Sequence, residues 1–173
     1  IYSSHALVDK VYIYRNPISE SEELVSWRWH YDNHPVEVLK AMVYLTAVGE
    51  GDGPFEYLRN RATGEAVTMP PLPLARDSRI APARMAALLA SGHEGFKVLG
   101  PAGTVVLFDD NVIHRANRAE RHHRDVVVLQ ARPADFRQEH RIDGRFTGGF
   151  AHADFNPDPA CYLAVTKKRT QSA

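Results

Sequence analysis

The sequence is poor in cysteine: among 173 residues there is one, Cys161. No internal disulfide can form, so oxidative stapling is excluded and a reducing, cytoplasmic setting fits best. As a catalytic thiol Cys161 is a poor candidate, because it stands alone in a Pro- and Asp-rich segment. Charge of one sign is also missing, with 21 Lys plus Arg against 21 Asp plus Glu. That balance leaves no electrostatic footprint for nucleic acid or an anionic membrane, and the expected partner is a small molecule. The basic tail TKKRTQSA reads as a solvated end. No apolar run is long enough to span a bilayer. The opening IYSSHALVDKVYIY lacks the basic start and apolar centre of a signal peptide. The first residue is not methionine, and the expectation is one domain over residues 1–173 that lacks part of a longer N-terminal region.

What is present is a succession of short β-type runs. Residues 6–14 (ALVDKVYIY) and 25–32 (VSWRWHYD) read as strands, rich in Val, Ile, Tyr and Trp. Residues 36–48 (VEVLKAMVYLTAV) read as a long strand. Its alternation puts Val38, Lys40, Met42 and Tyr44 on one face and Leu39, Ala41, Val43 and Leu45 on the other. Both faces are largely apolar, which predicts a central strand covered on both sides. A turn cluster at 49–53 precedes a short strand at 54–58. Residues 59–76 form a Pro-containing loop of the kind used as lids or binding loops. The spacing of Met85, Leu88 and Leu89 predicts a helix within residues 76–92, stopped by Gly92. Three further strands follow at 95–100, 103–110 and 124–132. Residues beyond 133 read as loop, with one short helix at 133–140. Many short strands with a single inserted helix favour a mainly β sandwich or jelly roll over alternating βαβ units.

The stretch WRWHYDNHP places His30, Asp32 and His34 at alternate positions. On a strand, residues two apart share a face, so one imidazole and one carboxylate can meet a single cation. His-x-Asp alone is weak evidence, since exposed polar residues on strands are common. His34 is a rival ligand on the same face. A facial triad needs one more histidine from a neighbouring strand. His114, after the apolar pair Val112 and Ile113, is available, although a histidine there is more often a satisfied core residue. Arg124 opens the apolar strand RDVVVLQ and has the planar fork that grips a buried carboxylate. The common fate of such an arginine is a loop cap or a surface ion pair. Trp27 and Trp29 read as core residues, and His122 and His123 as part of a charge-rich loop.

Three segments resemble the Fe(II)- and 2-oxoglutarate-dependent oxygenases of the phytanoyl-CoA dioxygenase-like family. WHYDN (29–33) is similar to that family's W-H-x-D. VLKAMVYLTAVGEGDGPFEYL (38–58) is similar to its strand, acidic turn and G-P-F continuation. GPAGTVVLFDDNVIHRANRAERHHR (100–124) is similar to its element carrying F, H, N and R. The resemblance implies a double-stranded β-helix, the cupin-like jelly roll, with one or two peripheral helices. It implies that His30, Asp32 and His114 ligate Fe(II) and that Arg124 binds the distal carboxylate of 2-oxoglutarate, with O2 as co-reactant. It places Met42 beside the cosubstrate, puts Lys40 and Tyr44 within reach of the same pocket, and aligns Asn117 with a common family asparagine.

Asp32 carries a further implication. Halogenating relatives lack this carboxylate, so hydroxylation, desaturation or ring formation is expected instead. The chain departs from the family where RNRATGE replaces a Gly-Ser-His turn, and only 29 residues precede His30. Two rivals come from other classes. A cupin-type metalloenzyme that does not use 2-oxoglutarate would recruit His34 or another histidine and dispense with Arg124. A binding module on the same barrel would have no use for all four of His30, Asp32, His114 and Arg124.

Overall fold

The computed structural model describes residues 5–19, 25–34, 38–70 and 78–134. Its elements are β1 (His5–Asn16), β2 (Leu39–Tyr44), β3 (Phe55–Asn60), α1 (Pro82–Ala90), β4 (His93–Val98), β5 (Val105–Asp109), β6 (His114–Ala116) and β7 (Arg124–Ala134). They form a four-stranded sheet in the order β1-β7-β2-β5 and a three-stranded sheet in the order β4-β3-β6. Every pairing of these strands is antiparallel. The strands form where β-branched and aromatic residues recur, as in VVLFD of β5, whose side chains fit a pleated surface.

Side chains from both sheets meet in one apolar cluster. Met42, Tyr44, Phe108, Val126 and Val128 of the larger sheet pack with Phe55 and Val48, and Tyr57 joins them partly buried. Alternation along β3 sends Leu58 to the opposite face, where Tyr31, Ile80, Met85 and Ile113 form a second cluster under α1. Full burial of an aliphatic side chain such as Leu58 or Ile113 contributes roughly 1.5–3 kcal/mol. The helix starts with Pro82, whose missing N–H costs nothing there, and ends before Gly92 at φ +92°. Among the described residues no helix is long and apolar enough to cross a membrane.

Among the described residues, the mainly β architecture, the helix Pro82–Ala90 and most strand positions agree with the sequence reading. Three expectations are corrected. Residues 25–32 are not a strand: Val25–Trp27 form a 3-10 turn. Beyond it, His30 makes only isolated bridges, to Arg79 on one side and His114 on the other. Period-two alternation signals a ladder, but here matching partners exist only around His30, and Asn33 then reverses the chain at φ 54°. The long strand at 36–48 contracts to Leu39–Tyr44; just beyond it the Leu45 N–H still bonds the Asp125 carbonyl in register with β7, after which the chain turns away to Val48, which bridges Gly100; residues 35–37 lie outside the described set. That strand is central, between β7 and β5, yet among the described residues its outer face is only partly covered, with Leu39, Ala41 and Val43 half-buried. Leu45, Val105 and Leu107 remain 49, 56 and 59% exposed. Of the expected helix at 133–140, the first two residues end β7 and the rest lie outside the described residues. Trp27 is buried as expected, whereas Trp29 is half-buried with the Arg115 guanidinium 4.6 Å above its ring.

The turn between β2 and β3 depends on one glycine. Gly53 has φ +68°, and a Cβ there would lie 2.2 Å from Asn16 Nδ2 and 2.9 Å from the Asn117 carbonyl oxygen. Both the backbone angle and the space exclude a side chain. Gly53→Ala is expected to lower stability by about 2 kcal/mol or more in urea unfolding. An unchanged midpoint would show that the turn yields freely.

Candidate metal centre

His30 and His114 are joined backbone to backbone. The His30 N–H donates to the His114 carbonyl at 2.9 Å, and the His114 N–H returns a bond to the His30 carbonyl at 2.8 Å. This antiparallel pairing sets the two rings side by side, with centroids 4.4 Å apart. Two residues on, the Asp32 N–H donates to the Asp110 carbonyl at 2.9 Å, which directs the carboxylate to the same point. His30, Asp32 and His114 each present one donor atom, and these atoms all lie within 4.8 Å of one another.

The tautomers follow from the partners. His30 Nδ1 lies 2.7 Å from the Arg28 carbonyl oxygen and His114 Nδ1 2.8 Å from the Val112 carbonyl oxygen. A carbonyl only accepts, so each Nδ1 carries the proton and each Nε2 offers its lone pair. Those two Nε2 atoms face Asp32, His30 Nε2 at 3.8 Å from Oδ1 and His114 Nε2 at 3.8 Å from Oδ2. Burial, then the neighbouring His30, pushes His114 down to about 4, so its imidazole is neutral as a metal ligand must be. Burial pushes the Asp32 carboxyl up, but the Lys40 ammonium and His114 outweigh it and hold the group below its ordinary range. Phe55 and Phe108 pack on His114 at 5.3 and 5.4 Å between centroids, giving the centre an apolar wall.

A cavity of about 240 Å³ adjoins this cluster and is lined by His30, Asp32, His114, Lys40, Met42 and Arg124, among others. Arg124 is fully buried. Among the described residues, its Nε and Nη1 have no hydrogen-bond partner. A buried guanidinium with open donors costs several kcal/mol, and an anionic ligand in the cavity would offset that cost. Three residues able to hold a cation and a buried guanidinium thus line one cavity, an arrangement whose donor set would suit a metal-chelating keto acid. Two expected residues stand elsewhere. The Tyr44 hydroxyl donates to the Val98 carbonyl at 2.9 Å and accepts from the Phe55 N–H at 3.3 Å, outside the lining. The Arg124 guanidinium lies 5.9 Å from its ring. Asn117 donates to the Pro54 carbonyl and to Glu56 Oε2, also outside the lining.

Sequence reasoning passed over Asp110, Tyr12, Tyr14 and Ser26, whereas His34, His122 and His123 were weighed and lie outside the cluster. Asp110 is fully buried beside Lys40, and only the fold distinguishes it from its neighbour Asp109. His34 has its Nδ1 2.7 Å from Asp110 Oδ2, and it is not part of the three-residue cluster. Tyr12 and Tyr14 of β1, with Ser26, line the cavity mouth. Alternation of these tyrosines was visible, but the face they occupy was not. His122 and His123 pair with Asp52 and Asp125 on the surface.

No protein-family model and no curated protein sequence matches the chain. Solved structures do. EctD from S. alaskensis with bound Fe is 19% identical, with a TM-score of 0.55 over 75% of this chain and 46% of that one. HygX from Streptomyces hygroscopicus with nickel and 2-oxoglutarate bound is 17% identical, with a TM-score of 0.52 over 79% of this chain and 59% of that one. EvdMO1 is 14% identical, with a TM-score of 0.53 over 76% of this chain and 28% of that one. The chain thus spans less than two thirds of each of these proteins. At such identities the likeness concerns architecture, and the fold of this chain is the cupin-like jelly roll of EctD, HygX and EvdMO1.

Proposed function

We propose that this chain is an Fe(II)- and 2-oxoglutarate-dependent oxygenase that oxidises a C–H bond of a small molecule, releasing succinate and CO2. The observation that carries the reading is the single cavity shared by His30, Asp32, His114 and the unsatisfied Arg124 guanidinium. The metal-bearing structures of EctD and HygX, the latter also holding 2-oxoglutarate, support it as proteins of the same fold.

His30, Asp32 and His114 would hold the iron, and two imidazoles with one carboxylate leave positions open for further ligands. When bound, iron and the keto acid together supply the O2 activation that no side chain provides. The tasks left to the protein are positional. His30 and His114 keep their lone pairs aimed through the carbonyls on Nδ1. Arg124 receives the distal carboxylate of 2-oxoglutarate, and Met42 packs along the same cavity. Phe55 and Phe108 exclude water from the His114 side. Tyr44 and Asn117 act from behind the lining, without direct contact to the cosubstrate.

Anaerobic titration with Fe(II) and then 2-oxoglutarate tests the reading. The expected result is a weak visible metal-to-ligand band on adding the keto acid, absent in Asp32→Ala. Iron binding without the band favours a cupin-type metalloenzyme that does not use 2-oxoglutarate. No metal binding leaves a binding module on the same barrel.

A further inference from the structure

Lys40 was expected to reach the cosubstrate, but its ammonium is engaged elsewhere. Lys40 Nζ lies 2.6 Å from Asp32 Oδ2 and 2.7 Å from Asp110 Oδ1. Asp110 Oδ2 in turn lies 2.7 Å from His34 Nδ1. The chain of groups is closed to solvent at its centre, with Asp110 fully buried and the Lys40 side chain 15% exposed. The backbone builds it from three segments. Lys40 sits on β2 opposite Phe108 of β5. The Asp110 N–H donates to the Val38 carbonyl, and the Asp32 N–H donates to the Asp110 carbonyl. Asp110 is therefore an anchor for both the backbone of Asp32 and the ammonium that grips its side chain.

The consequence concerns how many oxygens Asp32 can offer. A carboxylate at a metal can bind through one oxygen or both. Each oxygen lies 3.8 Å from one imidazole, Oδ1 from His30 Nε2 and Oδ2 from His114 Nε2, but Oδ2 also carries a short, charge-assisted bond from Lys40 at 2.6 Å. We propose, on the reading of His30, Asp32 and His114 as metal ligands, that Lys40 is a positioning residue that ties up Oδ2 so that Asp32 binds the metal through Oδ1 alone. One-oxygen binding preserves the open positions that the keto acid and O2 require. The same ammonium also withdraws charge from Asp32 and moderates metal affinity, an outcome unlike that of an outer partner that raises ligand basicity. Asp110 and His34 keep Lys40 in place.

The test uses Co(II) as the probe, without 2-oxoglutarate, on the purified full chain. Wild type is compared with Lys40→Met, with affinity read by calorimetry and coordination by the visible ligand-field spectrum. Lys40→Met is expected to bind Co(II) at least about tenfold tighter, since a positive charge next to the site is gone, and to show an altered band as the second oxygen engages. The double variant Lys40→Met/Asp110→Asn removes one buried charge of each sign, so it tests the idea even where the single variant fails to fold. It is expected to show the same altered band. If the folded variants bind Co(II) with the wild-type spectrum, the inference is overturned. Absence of Co(II) binding in wild type overturns the metal reading itself, and the inference with it.

Discussion

Arg124→Met is expected to abolish useful affinity for 2-oxoglutarate while leaving metal binding within about twofold of wild type. Removing one partner of a buried, hydrogen-bonded charge pair costs about 2–5 kcal/mol, or roughly thirtyfold to several thousandfold in affinity. The metal is held by other residues, so its binding has no reason to change. The same substitution carries a second, less usual expectation. Arg124 is a fully buried cation whose Nε and Nη1 find no partner among the described residues. Methionine fills similar space without that desolvation cost, so thermal stability of the ligand-free protein should hold or rise. Added 2-oxoglutarate should raise the melting temperature of metal-loaded wild type and leave that of the variant unmoved. Calorimetric titration of both proteins with 2-oxoglutarate decides the matter. Equal affinities would remove Arg124 from the site.

The second large effect belongs to Asp32. Asp32→Asn preserves shape and removes the single anionic ligand of the cluster, so divalent-metal affinity should fall by about 100-fold or more. The fold should survive, because the Lys40 ammonium keeps Asp110 as a partner at 2.7 Å. The contrast with Lys40→Met is informative: one substitution weakens metal binding and the other strengthens it, although the two side chains are joined by a 2.6 Å bond. A purely structural ion pair would give loss of stability in both and no opposite movement in affinity. Direct metal titration, with circular dichroism to verify folding, separates the two cases. Retained affinity in a folded Asp32→Asn protein would exclude the carboxylate as a ligand.

Much of this was legible in the sequence, for identifiable reasons. Strand runs such as VVLFD and RDVVVLQ carry their period and their β-branched residues with them, and Pro82 and Gly92 punctuate the helix locally. The spacing of His30 and Asp32 placed two candidate ligands near each other, and the resemblance pointed to His114 and Arg124. The segment around His30 misled for a physical reason: its alternation resembles a ladder, yet its hydrogen bonds are single bridges to two distant segments, 78–80 and 110–114. Lys40, Met42 and Tyr44 share a face, but alternation cannot say where each side chain ends. Met42 lines the cavity, Tyr44 stops at the Val98 carbonyl, and Lys40 is taken by two carboxylates.

The sequence alone determined the mainly β architecture, the placement of its helix and the residue types from which a metal site could be built, because these depend on period, propensity and local turn chemistry. The tertiary structure decided which of those residues converge. His114 meets His30 through a bridge between segments 84 residues apart in number, Asp110 rather than Asp109 is sealed inside, and Arg124 is buried with donors open. Convergence of this kind depends on strand order and on which face each strand turns inward, and neither is written in any local stretch of chain.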